Sequence, residues 1–483
     1  MNIVQVAGEG VPFCKTGGLA DVTGALIKEL AQRKHNVIFV LPLYQSINRD
    51  SFKIIPTGIE LTVRVGRVTH NVPVWERKSP QNPRCYFLES KSYFSRKGLY
   101  GETPGTAYAD NDERYIFYAK AVLELCKVFD FKPDLIHGHD WQAGLVPAYV
   151  KTLQARDPFF ANCGTVFTIH NMAYQGLFPS SSFSLTGLPT SEYSMGGVEF
   201  YGQVNFLKAG LIYSDALNTV SPAYANEIQN DWNYGMGLEG VINFRRDRFR
   251  GITNGIDQDI WNPKTDEHIA AHYDADHLQK KADCKAALQR MCGWKADAKT
   301  PLVGFIGRLD AQKGIDYLIQ LVPRLASKKA QVVLLGSGDA NYQEQLNDLH
   351  RDYPESIFYE SAFAEAFSHQ IYAGADVFLM PSKFEPCGLS QLISMRYGTV
   401  PVVTPTGGLV DTVPAGTGFM SKSKSYGDFV DAVFTAMDEW TKKRTWQARQ
   451  KKIMKIDFSW GPSVLKYLEM YKDALRWRKG SHA

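Results

Sequence analysis

At 483 residues, 44% apolar and 22% charged, the chain is too long for one ordinary hydrophobic core and has the composition of a globular protein with two large domains. A net charge of +4 is too weak to argue for nucleic acid, and no run approaches the roughly 18 uninterrupted apolar residues that span a bilayer. The 7 cysteines, at positions 14, 85, 126, 163, 284, 292 and 387, are scattered and never form a C-x-x-C pair, which argues against a zinc site or a disulfide framework and for a reducing compartment.

The first residues, Met1 to Val6, read directly as a strand, with no secretory signal and no Arg- and Ser-rich transit segment before it. The expected location is the cytoplasm, or a plastid stroma where a transit segment has been removed. Short β-branched runs then alternate with amphipathic stretches, the pattern of parallel sheets built from β-α-β units. In the first half the strands are expected at 3–7, 36–42, 135–137, 165–169 and 216–220, with helices at 22–33 and 114–129. A second series has strands at 302–306, 331–335, 357–360, 377–380 and 400–403, with helices at 314–328, 341–352 and 389–397. Gly251, Gly255 and Pro263 punctuate the join. The expected architecture is α/β, with two Rossmann-like doubly wound domains at 1–250 and 251–460, a cleft between them, and a C-terminal helix in 461–483. In such sheets ligands bind at the carboxyl ends of strands, and the polar motifs cluster there in both halves.

Lys15-Thr16-Gly17-Gly18-Leu19-Ala20-Asp21-Val22 follows the first strand and opens a helix. Two glycines let the backbone approach an anion, free N–H groups at the helix start point toward it, and Lys15 adds a charge. It is neither a Walker loop nor a G-x-G-x-x-G fingerprint, so a plain tight turn remains the alternative. His137-Gly138-His139-Asp140 also follows a strand. His137 and His139 share a face, which keeps a metal reading open beside one of backbone or substrate hydrogen bonding. His170 and Asn171 stand at the end of an apolar strand, where an imidazole and an amide suit sugar hydroxyls. No G-x-S-x-G elbow accompanies them.

The second half supplies cations. Arg308 and Lys313, five apart between a strand and a helix, are placed to neutralise a diphosphate, against the alternative of two solvated surface cations. Glu385 stands alone, so paired-carboxylate hydrolysis does not apply; it suits a sugar hydroxyl or positive charge at an anomeric carbon, unless it only meets a helix dipole. Cys387 sits beside it with no chemistry assigned, and Thr406-Gly407-Gly408 echoes the early Gly-Gly turn as a second phosphate candidate.

Taken in order, these segments resemble the bacterial glycogen synthase and plant starch synthase family, retaining glucosyltransferases of the GT-B fold. The resemblance runs through 15–22, 137–144, 168–176, 219–224, 251–263, 307–314, 367–376, 384–389 and 406–412, and ends at Asp457-Phe458-Ser459-Trp460. It implies ADP-glucose as donor and the 4-hydroxyl end of an α-1,4-glucan as acceptor, with no cofactor, no metal, no nucleic acid and no membrane. By the same resemblance Lys15 and Gly18 lie near the donor phosphates with Asp21 close by, and Arg308 and Lys313 clamp the diphosphate. His170 meets the transferred glucose and Glu385 supports the transition state. Asp140, Asn171 and Asn254 line the cleft, Cys387, Thr406, Gly407 and Gly408 stand on the donor side, and Phe363 packs against the adenine. The last helix is expected to cross back onto the first domain, and closure of the domains to exclude water. Related transferases often carry two glutamates eight positions apart; here the second position is Ile393, which favours glycogen and starch synthases over sucrose- or lipid-directed relatives. A UDP-glucose-dependent relative and a catalytically decayed glucan-binding scaffold are the alternatives.

Overall fold

The computed structural model describes residues 1–78, 83–103, 105–362 and 364–480. The chain divides into two compact units, one made of 1–254 with 460–483 and the other of 255–459. The division falls at Asn254 rather than at 250, because the strand at 249–251 still pairs within the first sheet.

The strands of the first unit are β1 (Asn2–Val6), β2 (Asn36–Pro42), β3 (Ile54–Val65), β4 (Val68–Arg77), β5 (Arg84–Leu88), β6 (Leu135–His139), β7 (Gly164–Ile169), β8 (Leu177–Pro179), β9 (Glu199–Phe200), β10 (Gln203–Asn205), β11 (Ala216–Thr219) and β12 (Phe249–Gly251). Nine of them form one sheet in the order β12-β11-β7-β6-β1-β2-β5-β4-β3, and β8-β10-β9 form a small second sheet. Ile3, Val4 and Val6 are fully buried, as a central parallel strand covered on both faces requires. The edge pair β3 and β4 is antiparallel. Leu61, Val63 and Val65 bury alternate positions there, leaving the other face to solvent. This hairpin is absent from the expected strand list, since a half-polar alternating strand carries none of the continuous apolar signal of the buried ones; β5 is absent too, although Cys85 to Leu88 are buried.

The second unit contains β13 (Leu302–Ile306), β14 (Gln331–Leu335), β15 (Ile357–Glu360), β16 (Val377–Met380), β17 (Val400–Val403) and β18 (Phe419–Met420), in the order β15-β14-β13-β16-β17-β18. Every pairing is parallel. Ile315, Leu318, Leu321, Val322 and Leu325 of the helix Ile315–Ser327 are buried, one stripe at helical spacing laid on the sheet.

The C-terminal helix Trp460–Gly480 belongs to the first unit. Val464, Tyr467, Met470, Tyr471 and Ala474 are fully buried, again three, three, one and three apart.

Candidate active site

Each large sheet reverses its winding once. In the first, the chain runs from β1 out through β2 and β5, then restarts on the other side of β1 with β6, β7 and β11. In the second, it runs from β13 through β14 to β15 and restarts with β16 and β17. Loops at such a reversal diverge and leave a crevice at the strand carboxyl ends. Nearly all the expected site residues fall on the loops after β1, β6 and β7 in one unit and after β13, β16 and β17 in the other.

The loop after β1 is organised by a residue the motif did not include. Glu9 is 3% exposed, and its carboxylate accepts from Thr16 N at 2.5 Å, Thr16 Oγ1 at 2.6 Å, Tyr100 OH at 2.8 Å and Gly17 N at 3.1 Å. Burial raises its pKa against the pull of those donors. The expectation of open amides ahead of the helix Gly18–Gln32 is therefore corrected: two of them are already held by an internal carboxylate. The available clue was an acid flanked by Gly8 and Gly10 just past a strand. Lys15 pairs with Asp21 at 2.8 Å, with its side chain 40% exposed. So exposed a pair is worth under about 1 kcal/mol, so Lys15 gives its charge to a bound anion at little expense.

Asp140 adopts a left-handed backbone, φ 54, directly after β6. Its carboxylate turns beneath the end of β7, accepting from His170 N at 2.6 Å and also from the Asn171 amide. It thus supports the site from below instead of lining it. Burial pushes its pKa up to about 7 despite those bonds. His170 lies at the rim, 9% exposed, and its Nε2 meets His139 Nδ1 at 3.0 Å. The metal reading of the His-x-His pair does not fit this geometry. Both nitrogens of His139 and both of His137 are engaged, with His170 and Gln5, and with Tyr471 and Thr168. Among the described residues no group of three or more His, Cys, Asp or Glu is placed to hold a metal. Asn171 Oδ1 accepts from Ala173 N at 3.0 Å and shapes the turn. Asn254 is 6% exposed, yet its Oδ1 has no hydrogen-bond partner. A donor group there would recover the roughly 1–3 kcal/mol that an unmet buried acceptor costs.

Burial drives His170 down to about 3 and His137 and His139 well below the usual imidazole range, so all three are neutral at pH 7. Their unfolded counterparts gain protons near pH 6.5, so their contribution to stability is present above that pH and lost as pH falls. Asp140 and Glu9, both raised, act oppositely: their contribution is full below the ordinary carboxyl range and fades as pH rises toward neutrality. Burial thus opposes protonation at three histidines and favours it at two carboxyls, so the histidines outnumber the groups acting against them as pH falls from 7 to 5. A calorimetric melt is expected to move to lower temperature from pH 7 to pH 5; a flat or rising Tm over that range contradicts this balance.

In the second unit, Lys313 Nζ meets Glu385 Oε2 at 2.5 Å, and Ser382 Oγ donates to the same oxygen at 3.0 Å. The Glu385 side chain is only 6% exposed and that of Lys313 20%. Glu385 lies five residues ahead of the helix Ser390–Arg396, so a helix-dipole role does not explain it. Two further bonds tie the loop after β13 to the loop after β16: Lys383 N to Gln312 O at 2.8 Å and Gln312 Nε2 to Phe384 O at 3.2 Å. Gly314 makes this possible: its φ is 68, and a Cβ there would lie 2.1 Å from Pro381 O. Arg308 stands outward on the same loop with its side chain 45% exposed, 3.4 Å from Asp310 and 3.5 Å from Gln312.

The loop after β17 reaches the same place. Gly408 N donates to Glu385 O at 3.0 Å, and a Cβ on Gly408 would meet Cys387 O at 2.3 Å, so the second Gly-Gly turn packs on the Glu385 loop. Thr406 stands just ahead of the helix Gly407–Thr412 and is fully buried, as nearly is Cys387, and all 7 cysteines are thiols without disulfides. Phe363 lies outside the described residues.

The structure therefore gathers Arg308, Lys313, Glu385, Cys387, Thr406, Gly407 and Gly408 on three adjacent loops of one unit. It gathers Lys15, Gly18, Asp21, Asp140, His170 and Asn171 on three adjacent loops of the other. No described helix is long and apolar enough to cross a membrane.

Residues 2–244 match the family model "Starch synthase catalytic domain", and residues 300–439 match "Glycosyl transferases group 1". The chain is 44% identical over 487 aligned residues to a glycogen synthase of Elusimicrobium minutum, covering 98% of this chain and 99% of that one. It is 42% identical to "Glycogen synthase 2" of Geobacter sulfurreducens, covering 99% of this chain and all of the other. Among solved structures, the catalytic domain of starch synthase IV from Arabidopsis thaliana, bound to ADP and acarbose, superimposes with a TM-score of 0.92 at 32% identity, over 98% of this chain and 99% of that one. The chain belongs to the glycogen synthase and starch synthase family, glucosyltransferases of the GT-B fold.

Proposed function

We propose that the protein transfers glucose from ADP-glucose to the non-reducing 4-hydroxyl end of an α-1,4-glucan, with retention at the anomeric carbon. What carries this reading is the gathering of Arg308, Lys313 and Glu385 at the winding reversal of the second sheet, where nucleotides bind in doubly wound folds. The ADP held by the Arabidopsis starch synthase IV structure is the diphosphate such cations suit.

In this reading the bond between the anomeric carbon and the β-phosphate oxygen breaks with its electron pair leaving on ADP. Arg308 and Lys313 neutralise that charge, with Thr406, Gly407 and Gly408 beside the phosphates. The acceptor 4-hydroxyl oxygen bonds the same face of the carbon and passes its proton to the departing phosphate. Glu385 holds the sugar and offsets positive charge at the anomeric carbon, while His170 meets a hydroxyl of the transferred glucose. In this reading Lys15 and Gly18 bind phosphate, Asp21 holds Lys15 in place, and Asn171 and Asn254 bond the sugar. Two placed cations supply the electrostatic role a divalent metal plays elsewhere, so the reaction requires no metal. The buried thiols suit a reducing cytoplasm.

The test is incorporation of radiolabelled glucose into glycogen primer, ADP-glucose and UDP-glucose run side by side. Transfer from ADP-glucose is expected, and Arg308→Ala is expected to lower kcat about a hundredfold, near 3 kcal/mol of transition-state stabilisation. Folded protein that incorporates nothing sinks the reading; transfer from UDP-glucose alone overturns the donor assignment.

A further inference from the structure

A single hydrogen-bonded chain runs through the buried interior of the first unit, from the rim at His170 to the C-terminal helix. Its members are Gln5, His137, His139, Thr168, Asn218, Tyr467 and Tyr471, all fully buried. The direction of every bond in it follows from one end. Asn218 Nδ2 lies 3.4 Å from the Thr219 carbonyl, which only accepts, and 3.2 Å from Tyr467 OH. The amide orientation is thereby set, and Asn218 Oδ1 must accept from Thr168 Oγ1 at 2.6 Å. A hydroxyl has one proton, so Thr168 must in turn accept from His137 Nε2–H at 2.6 Å.

A neutral imidazole has one N–H, which leaves His137 Nδ1 bare, and it accepts from Tyr471 O–H at 2.9 Å. The Tyr471 oxygen then accepts from Gln5 Nε2 at 3.0 Å. This turns Gln5 Oε1 toward His139, whose Nε2–H donates to it at 2.8 Å. His139 Nδ1 is left as an acceptor for His170 Nε2–H at 3.0 Å. At the far end His170 Nδ1 carries a lone pair.

We propose that Tyr471, on the C-terminal helix, is a positioning residue that sets the tautomer of His170, so that Nδ1 accepts a hydrogen bond from a hydroxyl of the transferred glucose. The inference rests on the assignment of His170 to the sugar in the proposed function. Tyr471 reaches the chain from beyond the second unit's stretch of sequence and both accepts from Gln5 and donates to His137; removing its hydroxyl frees Gln5 to flip. A flipped Gln5 gives N–H to His139 Nε2, and His139 must then give Nδ1–H to His170 Nε2. That moves the proton of His170 to Nδ1 and turns an acceptor into a donor.

The test uses the full chain labelled with ring 15N-histidine, with the His170 signals assigned by their loss in His170→Ala. In the parent, ring couplings are expected to show a proton on Nε2 and a bare Nδ1. In Tyr471→Phe they are expected to show the Nδ1–H form, alone or mixed, with kcat down on the order of tenfold and donor KM little changed. The control is Tyr149→Phe, which removes a buried hydroxyl bonded to Thr186 O in the same unit and outside the chain; it is expected to keep parental kcat. A parent spectrum with the proton on Nδ1 overturns the proposal even where no variant folds. An unchanged His170 spectrum in Tyr471→Phe, or kcat within about twofold of the parent, also overturns it. A parent that transfers no glucose removes the functional reading instead, and leaves the tautomer result to stand separately.

Discussion

Lys313→Ala is expected to lower kcat by about 10²–10³-fold and to destabilise the second unit by about 3–5 kcal/mol. The two losses have different origins. The ammonium faces a carboxylate whose side chain is 6% exposed and which, among the described side chains, has Ser382 as its one other donor, so removing it leaves a buried charge almost uncompensated. The rate loss arises because the same ammonium is assigned to the departing diphosphate. A double variant separates them: Lys313→Met with Glu385→Gln removes both charges while keeping volume, and is expected to recover most of the stability and none of the rate. Calorimetry and single-turnover transfer on the parent and the two variants read both quantities. A double variant as unstable as Lys313→Ala would show that the pair is not what holds these loops together, and one with parental rate would remove both residues from the chemistry.

Asp140→Ala is the second large effect. Two backbone N–H groups at the end of β7, those of His170 and Asn171, lose their acceptor where little water reaches, at about 1–3 kcal/mol each. Alanine also keeps the left-handed backbone that the position imposes. We expect a loss of about 2–6 kcal/mol in stability. We also expect at least a tenfold fall in kcat, since a shift of about 1 Å in a substrate-positioning group is enough for that. Asp140→Asn retains one oxygen acceptor and mimics the protonated acid, so it is expected to fall between parent and Asp140→Ala at pH 8 and to approach the parent at pH 6. A kcat for Asp140→Ala equal to the parent would return Asp140 to the cleft lining, with no supporting role.

The parallel core was legible because its strands are buried on both faces: continuous runs such as those around Val4, Val303 and Val333 admit few other readings. The edge hairpin was not, since Leu61, Val63 and Val65 alternate with exposed residues and resemble surface. At the site, spacing placed Arg308, Lys313 and Glu385 after strands, but only sheet order shows that β13, β16 and β17 are neighbours. Asp140 was legible as a polar residue near His170, yet its side chain points under the backbone because its φ is positive, which sequence does not display. Glu9 and Tyr471 were missed for a shared reason. Their importance comes from what they touch 91 and 334 residues away, at Tyr100 and His137, and no local pattern records such partners.

The C-terminal helix has a further consequence, in the order of synthesis. The first unit is built from 1–254 and 460–483, with the whole second unit made in between. On the ribosome, His137, Gln5 and Asn218 must therefore wait 334, 466 and 249 residues, respectively, for the tyrosine hydroxyls that satisfy them, while the second unit is complete before that helix emerges. Until then those side chains lack the partners they have in the folded chain, so the first unit cannot finish packing. The element that finishes the first domain is translated only after the whole of the second.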